Sequence, residues 1–274
     1  MPGRQRRGNS RPGSGAGRDG RDRQDILQVE GRRPVLELLR SDHPVYRVLV
    51  AAGRRGTSME ELWSLARQRG VPVEVVDPDE LDRRAQTDSH QGVIALAGPP
   101  RLLELPDLLA VAARRGEAPL LLVCAEIQDP HNLGALLRTA EAAGAHGAII
   151  PKHRSAPLSA TVYKSSAGAL VHLPVARVTN LSRAIEELKG AGVWTVAADP
   201  AGPQSYDQCD LTGPVAIVLG SEGRGVPRLV RERCDELVSI PMRGRVGSLN
   251  VSVAGGILLF EAARQRRLAP TGAR

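Results

Sequence analysis

Three segments place polar residues directly after apolar runs that read as strands, and each could do chemistry. The first, Gln-Asp-Pro-His-Asn-Leu-Gly after Ile127, leads into LGALLRTAEAAGA. At 100° per residue Leu133, Leu136, Leu137 and Ala140 share one apolar face, and Arg138 lies opposite beside Gly134, Ala135 and Ala142. Small neighbours leave room for a ligand or a second backbone beside the guanidinium. A solvated Arg138 paired with Glu141 at i+3, worth about 0.2–0.5 kcal/mol, is the plainer alternative. The second segment, Gly-Ser-Glu-Gly-Arg-Gly, follows Val215–Leu219. Such turns expose backbone N–H groups to phosphates or nucleotides, and Glu222 inside this one could accept a hydrogen bond from an amine or hydroxyl, or simply face solvent. The third follows Ile240 and runs Pro-Met-Arg-Gly-Arg-Val-Gly-Ser-Leu-Asn-Val-Ser-Val-Ala-Gly-Gly. Ser248 reads as an N-cap, Leu249 opens the helix and Asn250 falls in its first turn. Gly255 and Gly256 in mid-helix cost about 1 kcal/mol each relative to alanine, which a close helix-helix dimer contact would offset.

Other chemistries are weakly supported. The glycine turn lacks the Lys-Ser/Thr ending of a P-loop, and its glycines run GxxGxG instead of GxGxxG. Histidines 43, 90, 131, 146, 153 and 172 show no metal-ligand spacing, and there is no GxSxG elbow. Cys124, Cys209 and Cys234 form no CxxC pair, so neither a disulfide framework nor zinc is expected, and a reducing cytoplasmic setting fits best.

The three segments need strands that bring them to one edge. Six apolar runs qualify: Leu120–Ile127, Ala148–Ile150, Leu173–Val178, Val193–Ala198, Val215–Gly220 and Leu237–Ile240. Helices are predicted at Asn132–Ala143, Ser159–Ala169, Leu181–Gly190, Pro227–Arg233 and Leu249–Arg267. Near-continuous apolar strands alternating with helices imply an α/β domain with a parallel sheet, whose ligands bind beyond the carboxyl ends of the strands: after Ile127, Ala198, Gly220 and Ile240. Upstream lies a smaller α/β module with a helix at Gly31–Arg40, a strand at Tyr46–Ala51, and a helix at Ser58–Gly70 opened by a Ser58/Glu61 capping box. It continues with a strand at Val71–Val76, a helix at Asp79–Ala85 and a strand at Gly92–Ala97. The expected division is a tail at 1–24, a small domain at 25–98, a linker with a docking helix at 99–118, a large domain at 119–268 and a short tail at 269–274.

Composition sets the outer bounds. The chain has 274 residues, 42% of them hydrophobic, and its longest apolar run, Val251–Phe260, is far short of the roughly 20 residues needed to cross a bilayer. Aromatic residues make up only 2%, so the core is aliphatic and an extended base-stacking platform is ruled out. The net charge of +7 suggests a polyanionic partner, yet residues 1–24 hold seven arginines against two aspartates and carry most of it. That Gly/Arg-rich tail cannot bury enough surface to fold alone; it is a solubilising tail or an RNA-engaging arm.

Taken together, DPHNLGALLRTAEAAGA (129–145), VLGSEGRGV (218–226) and SIPMRGRVGSLNVSVAGGILLFEAAR (239–264) resemble the three signature motifs of the SpoU/TrmH branch of SPOUT RNA 2′-O-methyltransferases, in matching order and spacing. The segments VPVEVVDPDELD, SHQGVIALAG, IIPKHRSAPLSA and ARVTNLSRAIEEL extend the resemblance to the RlmB-type group that methylates guanosine ribose in ribosomal RNA, over about residues 28 to 268. The resemblance implies a C-terminal knotted α/β (SPOUT) domain binding S-adenosylmethionine (AdoMet) with no metal, a homodimer, and a small ribosomal-protein-like N-terminal domain that binds RNA. By motif position it implies catalytic roles for Asn132, Arg138, Glu222, Ser248 and Asn250, and cofactor contacts around Ala198, Leu219, Gly220, Ile240, Met242 and Leu249. A transfer RNA or antibiotic-resistance methyltransferase fits the same three motifs; only the N-terminal segments favour 23S ribosomal RNA. A non-catalytic RNA-binding or ribosome-assembly protein is the alternative of another class, and the intact Arg138, Glu222 and Asn250 argue against it.

Overall fold

The computed structural model describes residues 26–87 and 89–269, so the expected basic tail lies outside the described residues. The N-terminal unit is a four-stranded sheet in the order β1-β4-β2-β3. Here β1 (Leu27–Glu30) and β2 (Val45–Ala51) both run antiparallel to β4 (Val93–Ala97), while β3 (Val73–Val76) runs parallel to β2. Its helices are α1 (Arg32–Arg40), α2 (Thr57–Gln68) and α3 (Pro78–Arg84). β1 is absent from the sequence expectation; four residues, Leu-Gln-Val-Glu, are too few to show a period. The expected capping box does not form. Helix α2 opens on Gly56, with no side-chain cap, and the Glu61 carboxylate is taken by Arg40 across the α1–α2 contact.

The larger unit begins inside the expected linker. Leu102–Leu103 (β5) pairs with Val175–Val178 (β8) as an edge strand, and Leu105–Arg115 forms α4. Then follow β6 (Leu120–Ala125), α5 (Pro130–Ala142), β7 (Gly147–Pro151), α6 (Ala160–Ser165), and, beyond β8, α7 (Leu181–Gly190) and β9 (Trp194–Ala198). The chain ends with β10 (Gln204–Ser205), β11 (Val215–Gly220), α8 (Arg228–Arg231), β12 (Glu236–Ser239) and α9 (Val251–Leu268). The sheet order is β10-β12-β9-β11-β6-β7-β8-β5, and every pairing is parallel. Period-2 alternation divides the central strands between two cores. Leu120, Leu122 and Cys124 pack with α5 and α9 residues such as Leu136 and Leu258, and Leu121 and Val123 pack with Leu108 of α4 and Ile185 of α7. The first core continues without a break into Val29 and Val35 of the N-terminal unit.

Chain order reverses direction between β11 and β6, which makes their carboxyl ends the switch point where an open parallel sheet binds ligands. After β12 the chain returns across the sheet to α9, which lies on α5 and β11. This return is the crossing in which the family resemblance puts the knot.

Candidate functional site

The carboxyl ends of β9, β11 and β12 open on a cavity of about 630 Å³, within the usual range for small-molecule sites. All six residues expected around the cofactor line it: Ala198, Leu219, Gly220, Ile240, Met242 and Leu249. Gly220 is required by a close approach. A Cβ there would collide with the backbone of Gly225 and Val226, because the turn after β11 folds back on the strand and Gly225 N–H donates to Ser221 O at 2.9 Å. Sequence reasoning missed Asp199 and Arg231 on the same wall, paired at 2.8 Å. The hydrogen bond from Arg231 holds the Asp199 carboxyl below the usual carboxylate range. Asp199 directly follows Ala198, so the carboxyl-end rule already pointed at it. The lining combines apolar side chains with the carboxylates of Asp199 and Glu222, which fits a ligand that carries both an apolar ring and cationic or hydroxyl groups.

Beside the cavity, Asn132, Glu222 and Asn250 close into one cluster. Asn250 Nδ2 donates to Glu222 Oε1 at 2.5 Å and to Asn132 Oδ1 at 3.0 Å, and Asn132 Nδ2 donates to the same Glu222 oxygen at 3.1 Å. Glu222 Oε2 has no partner among the described residues, so a carboxylate oriented by two amides keeps one oxygen available. The helices that deliver the amides start by design of their caps. Asp129 accepts from the N–H groups of His131 and Asn132 at 3.2 and 3.0 Å, with Pro130 in the first turn, a Pro-at-start signal that the sequence carries openly. Asn250, not Ser248, caps α9, its Oδ1 accepting from Ser252 N–H at 2.9 Å. Ser248 lies two residues before the cap, exposed on the cavity wall, so its hydroxyl is left free for another task. Glu222 also lines a second, smaller hollow of about 250 Å³ with Asn132, Gln128 and Arg224.

Arg138 stands apart from this cluster. It lies six residues beyond Asn132, about 9 Å along α5, and lines a separate cleft of about 760 Å³ between the two units, with Arg33, Arg40 and Glu37. It is exposed and makes no ion pair with Glu141. The expected small-residue space beside it is partly filled. A Cβ on Gly134 would strike the Ser165 side chain and come within 2.9 Å of Ser166 N, so that glycine serves the packing of α6 on α5. Gly255 is likewise an internal contact, facing Leu136 and Leu219, which removes it from the expected dimer surface. A Cβ on Gly256 would meet only Thr139 Cγ2 at 3.7 Å, and Val253 and Phe260 on α9 are 50% and 52% exposed.

Among the described residues no cluster of His, Cys, Asp or Glu could hold a metal, and no helix is long and apolar enough to cross a membrane. Residues 119–260 match the family model described as SpoU rRNA methylase, and residues 28–103 match that described as RNA 2′-O ribose methyltransferase substrate binding. The chain is 43% identical over 238 residues to a TrmH family tRNA/rRNA methyltransferase of Bacillus subtilis, covering 87% of this chain and 95% of that one. Among solved structures it is similar to the SpoU methyltransferase AviRb of Streptomyces viridochromogenes, with a TM-score of 0.76 and 29% identity over 92% of this chain and 93% of that one. AviRb has also been solved in complex with the cofactor AdoMet. An AdoMet-bound rRNA methyltransferase of Sinorhizobium meliloti gives a TM-score of 0.74 at 29% identity, with 89% of each chain covered.

Proposed function

Since the chain belongs to the SpoU rRNA methylase family and is an AdoMet-dependent RNA methyltransferase, we propose that it methylates the ribose 2′-hydroxyl of a guanosine in 23S ribosomal RNA, in the cytoplasm and as a homodimer. The observation that carries this reading is the Asn132–Glu222–Asn250 cluster at the mouth of the cofactor cavity. AdoMet, when bound, supplies a methyl group on a positively charged sulfur. The protein must then hold a ribose hydroxyl in line with that methyl and accept its proton as the O–C bond forms. The free oxygen of Glu222 is held ready to receive a hydrogen bond from the hydroxyl, and Ser248 on the same wall offers a second contact. Arg138 contributes a planar donor fork that suits the neighbouring phosphate and the oxygen on which negative charge builds. A guanidinium is a poor base, so orientation and charge stabilisation are its roles.

The homodimer is supported by the same geometry. Arg138 does not line the cofactor cavity of its own chain, whereas Val253, Gly256 and Phe260 form a stripe at i, i+3 and i+7 on α9 that a second copy would cover. The RNA class is tested by methyl transfer from labelled AdoMet into unmodified 23S ribosomal RNA and, separately, into unmodified transfer RNA. Label in the ribosomal RNA alone supports the proposal. Label in transfer RNA alone overturns the substrate assignment.

A further inference from the structure

The cleft that holds Arg138 is built by both units, and their relative placement is tightly fixed. At Gly168 (φ 91°), just after α6, a Cβ would come within 2.7 Å of Glu37 Cβ and 3.3 Å of Pro34 Cα, so the backbone rests directly on α1. His172 Nε2 meets Glu37 Oε2 at 3.0 Å, Lys164 Nζ donates to Thr87 Oγ1 at 3.1 Å, and the apolar core runs through the junction. Within the cleft, Arg40 is engaged by Glu37 and Glu61, and the His172 ring by Glu37. Arg33 in the first turn of α1 and Arg138 on α5 have no ion pair or hydrogen bond among the described residues, and both are exposed. Glu141 has no ion pair among the described residues. Ser58, in the first turn of α2, adds a hydroxyl to the same wall.

Two free guanidiniums from two rigidly docked units, facing one cleft, suit a phosphodiester backbone, because each planar fork can take two oxygens of a phosphate. We infer that this cleft grips RNA at two phosphates, one on Arg33 and one on Arg138, so that the N-terminal unit presents the acceptor strand directly to Arg138. Arg33 is thereby an RNA-binding residue that works with Arg138. The inference rests on the RNA methyltransferase reading above and adds a strand path and a residue to it.

The probe is 23S ribosomal RNA transcribed in vitro, bound to the full-length chain over a salt series. Each phosphate contact on single-stranded RNA contributes about 0.7 to the slope of log affinity against log salt. Arg33→Gln is therefore expected to flatten the slope by about 0.7, and the double variant with Arg138→Gln by about 1.4. Arg33→Lys should keep the parent slope, as should Arg183→Gln on α7, outside the cleft. AdoMet affinity, read by calorimetry, should stay unchanged in all of them. Because the two arginines hold one strand, turnover in the double variant should fall by less than the product of the two single losses. An Arg33→Gln slope equal to the parent's, or strictly multiplicative losses, would overturn the inference. If the parent binds RNA with the expected slopes yet transfers no methyl group, the proposed function fails and the cleft assignment stands. If it methylates normally while Arg33→Gln is indistinguishable from parent, the reverse holds. Binding too weak to measure at about 50 mM salt overturns the inference, while methyl transfer still decides the proposed function.

Discussion

Replacing Asn250 by serine separates the two tasks of one side chain. Its Oδ1 caps α9 through Ser252 N–H at 2.9 Å, and its Nδ2 reaches Glu222 at 2.5 Å and Asn132 at 3.0 Å. Serine ranks with asparagine as an N-cap, so Asn250→Ser keeps the helix start; Asn250→Ala forfeits a cap worth about 1 kcal/mol, or about 2–4 °C in Tm for a chain of this size. Both variants lose the amide that orients the Glu222 carboxylate. A hydrogen bond to a charged group contributes about 1.5–3 kcal/mol, and the exposure of both residues favours the lower end. If that orientation matters in the transition state, kcat/KM falls about ten- to a hundredfold in both variants while only Asn250→Ala melts earlier. Asn250→Asp keeps the cap but sets a second carboxylate against Glu222. The like charges repel, so its turnover should fall at least as far as that of Asn250→Ser. The assays are labelled methyl transfer, calorimetric AdoMet titration and thermal denaturation. An Asn250→Ser variant that turns over like the parent, or that loses AdoMet binding in step with turnover, would refute the assignment.

Arg138→Lys keeps the charge but loses the fork, and single-turnover methylation should drop by at least about a hundredfold with AdoMet affinity and Tm unchanged; normal methylation would reassign the residue. Phe260→Glu on the exposed stripe of α9 should convert dimer to monomer in light scattering and remove activity; a parent that is already monomeric at micromolar concentration ends the dimer proposal. His43 and His146 are buried, and burial lowers both pKa values below the ordinary 6.5. The unfolded chain therefore binds protons that the folded one refuses, and stability should fall as pH drops below about 6.5. Thermal melts between about pH 7.5 and pH 5.5 check this, and an unchanged Tm would contradict it.

What was legible in the sequence followed from strong periodicity and from strand ends. The six apolar runs became the centre of the parallel sheet, and the four places marked beyond their carboxyl ends surround the two cavities that Glu222 lines. Local cap signals were less reliable, because they compete with tertiary partners. Glu61 gave up its capping role to Arg40, and Asn250 displaced Ser248, since both types cap equally well and only the helix's docking on α5 decides where it begins. The two-residue strands β5 and β10 left no pattern to read. The glycines were legible only in part. A missing side chain marks a close approach without saying to what: Gly134 does admit a second backbone, that of Ser166, whereas Gly255 faces Leu136 and Leu219 of its own chain instead of a dimer partner. The cleft at Arg138 was invisible because it exists only once α1 docks against the turn at residues 168–172 that follows α6, which no local pattern encodes.

Mapping ribose methylation at nucleotide resolution shows where the methyl group goes. Unmodified 23S ribosomal RNA is incubated with AdoMet, with and without the protein, and each 2′-hydroxyl is scored. One new 2′-O-methylguanosine is expected, dependent on AdoMet and lost with Arg138→Lys. A methyl group on a base, on a ribose other than that of guanosine, or on no nucleotide of this RNA would contradict it.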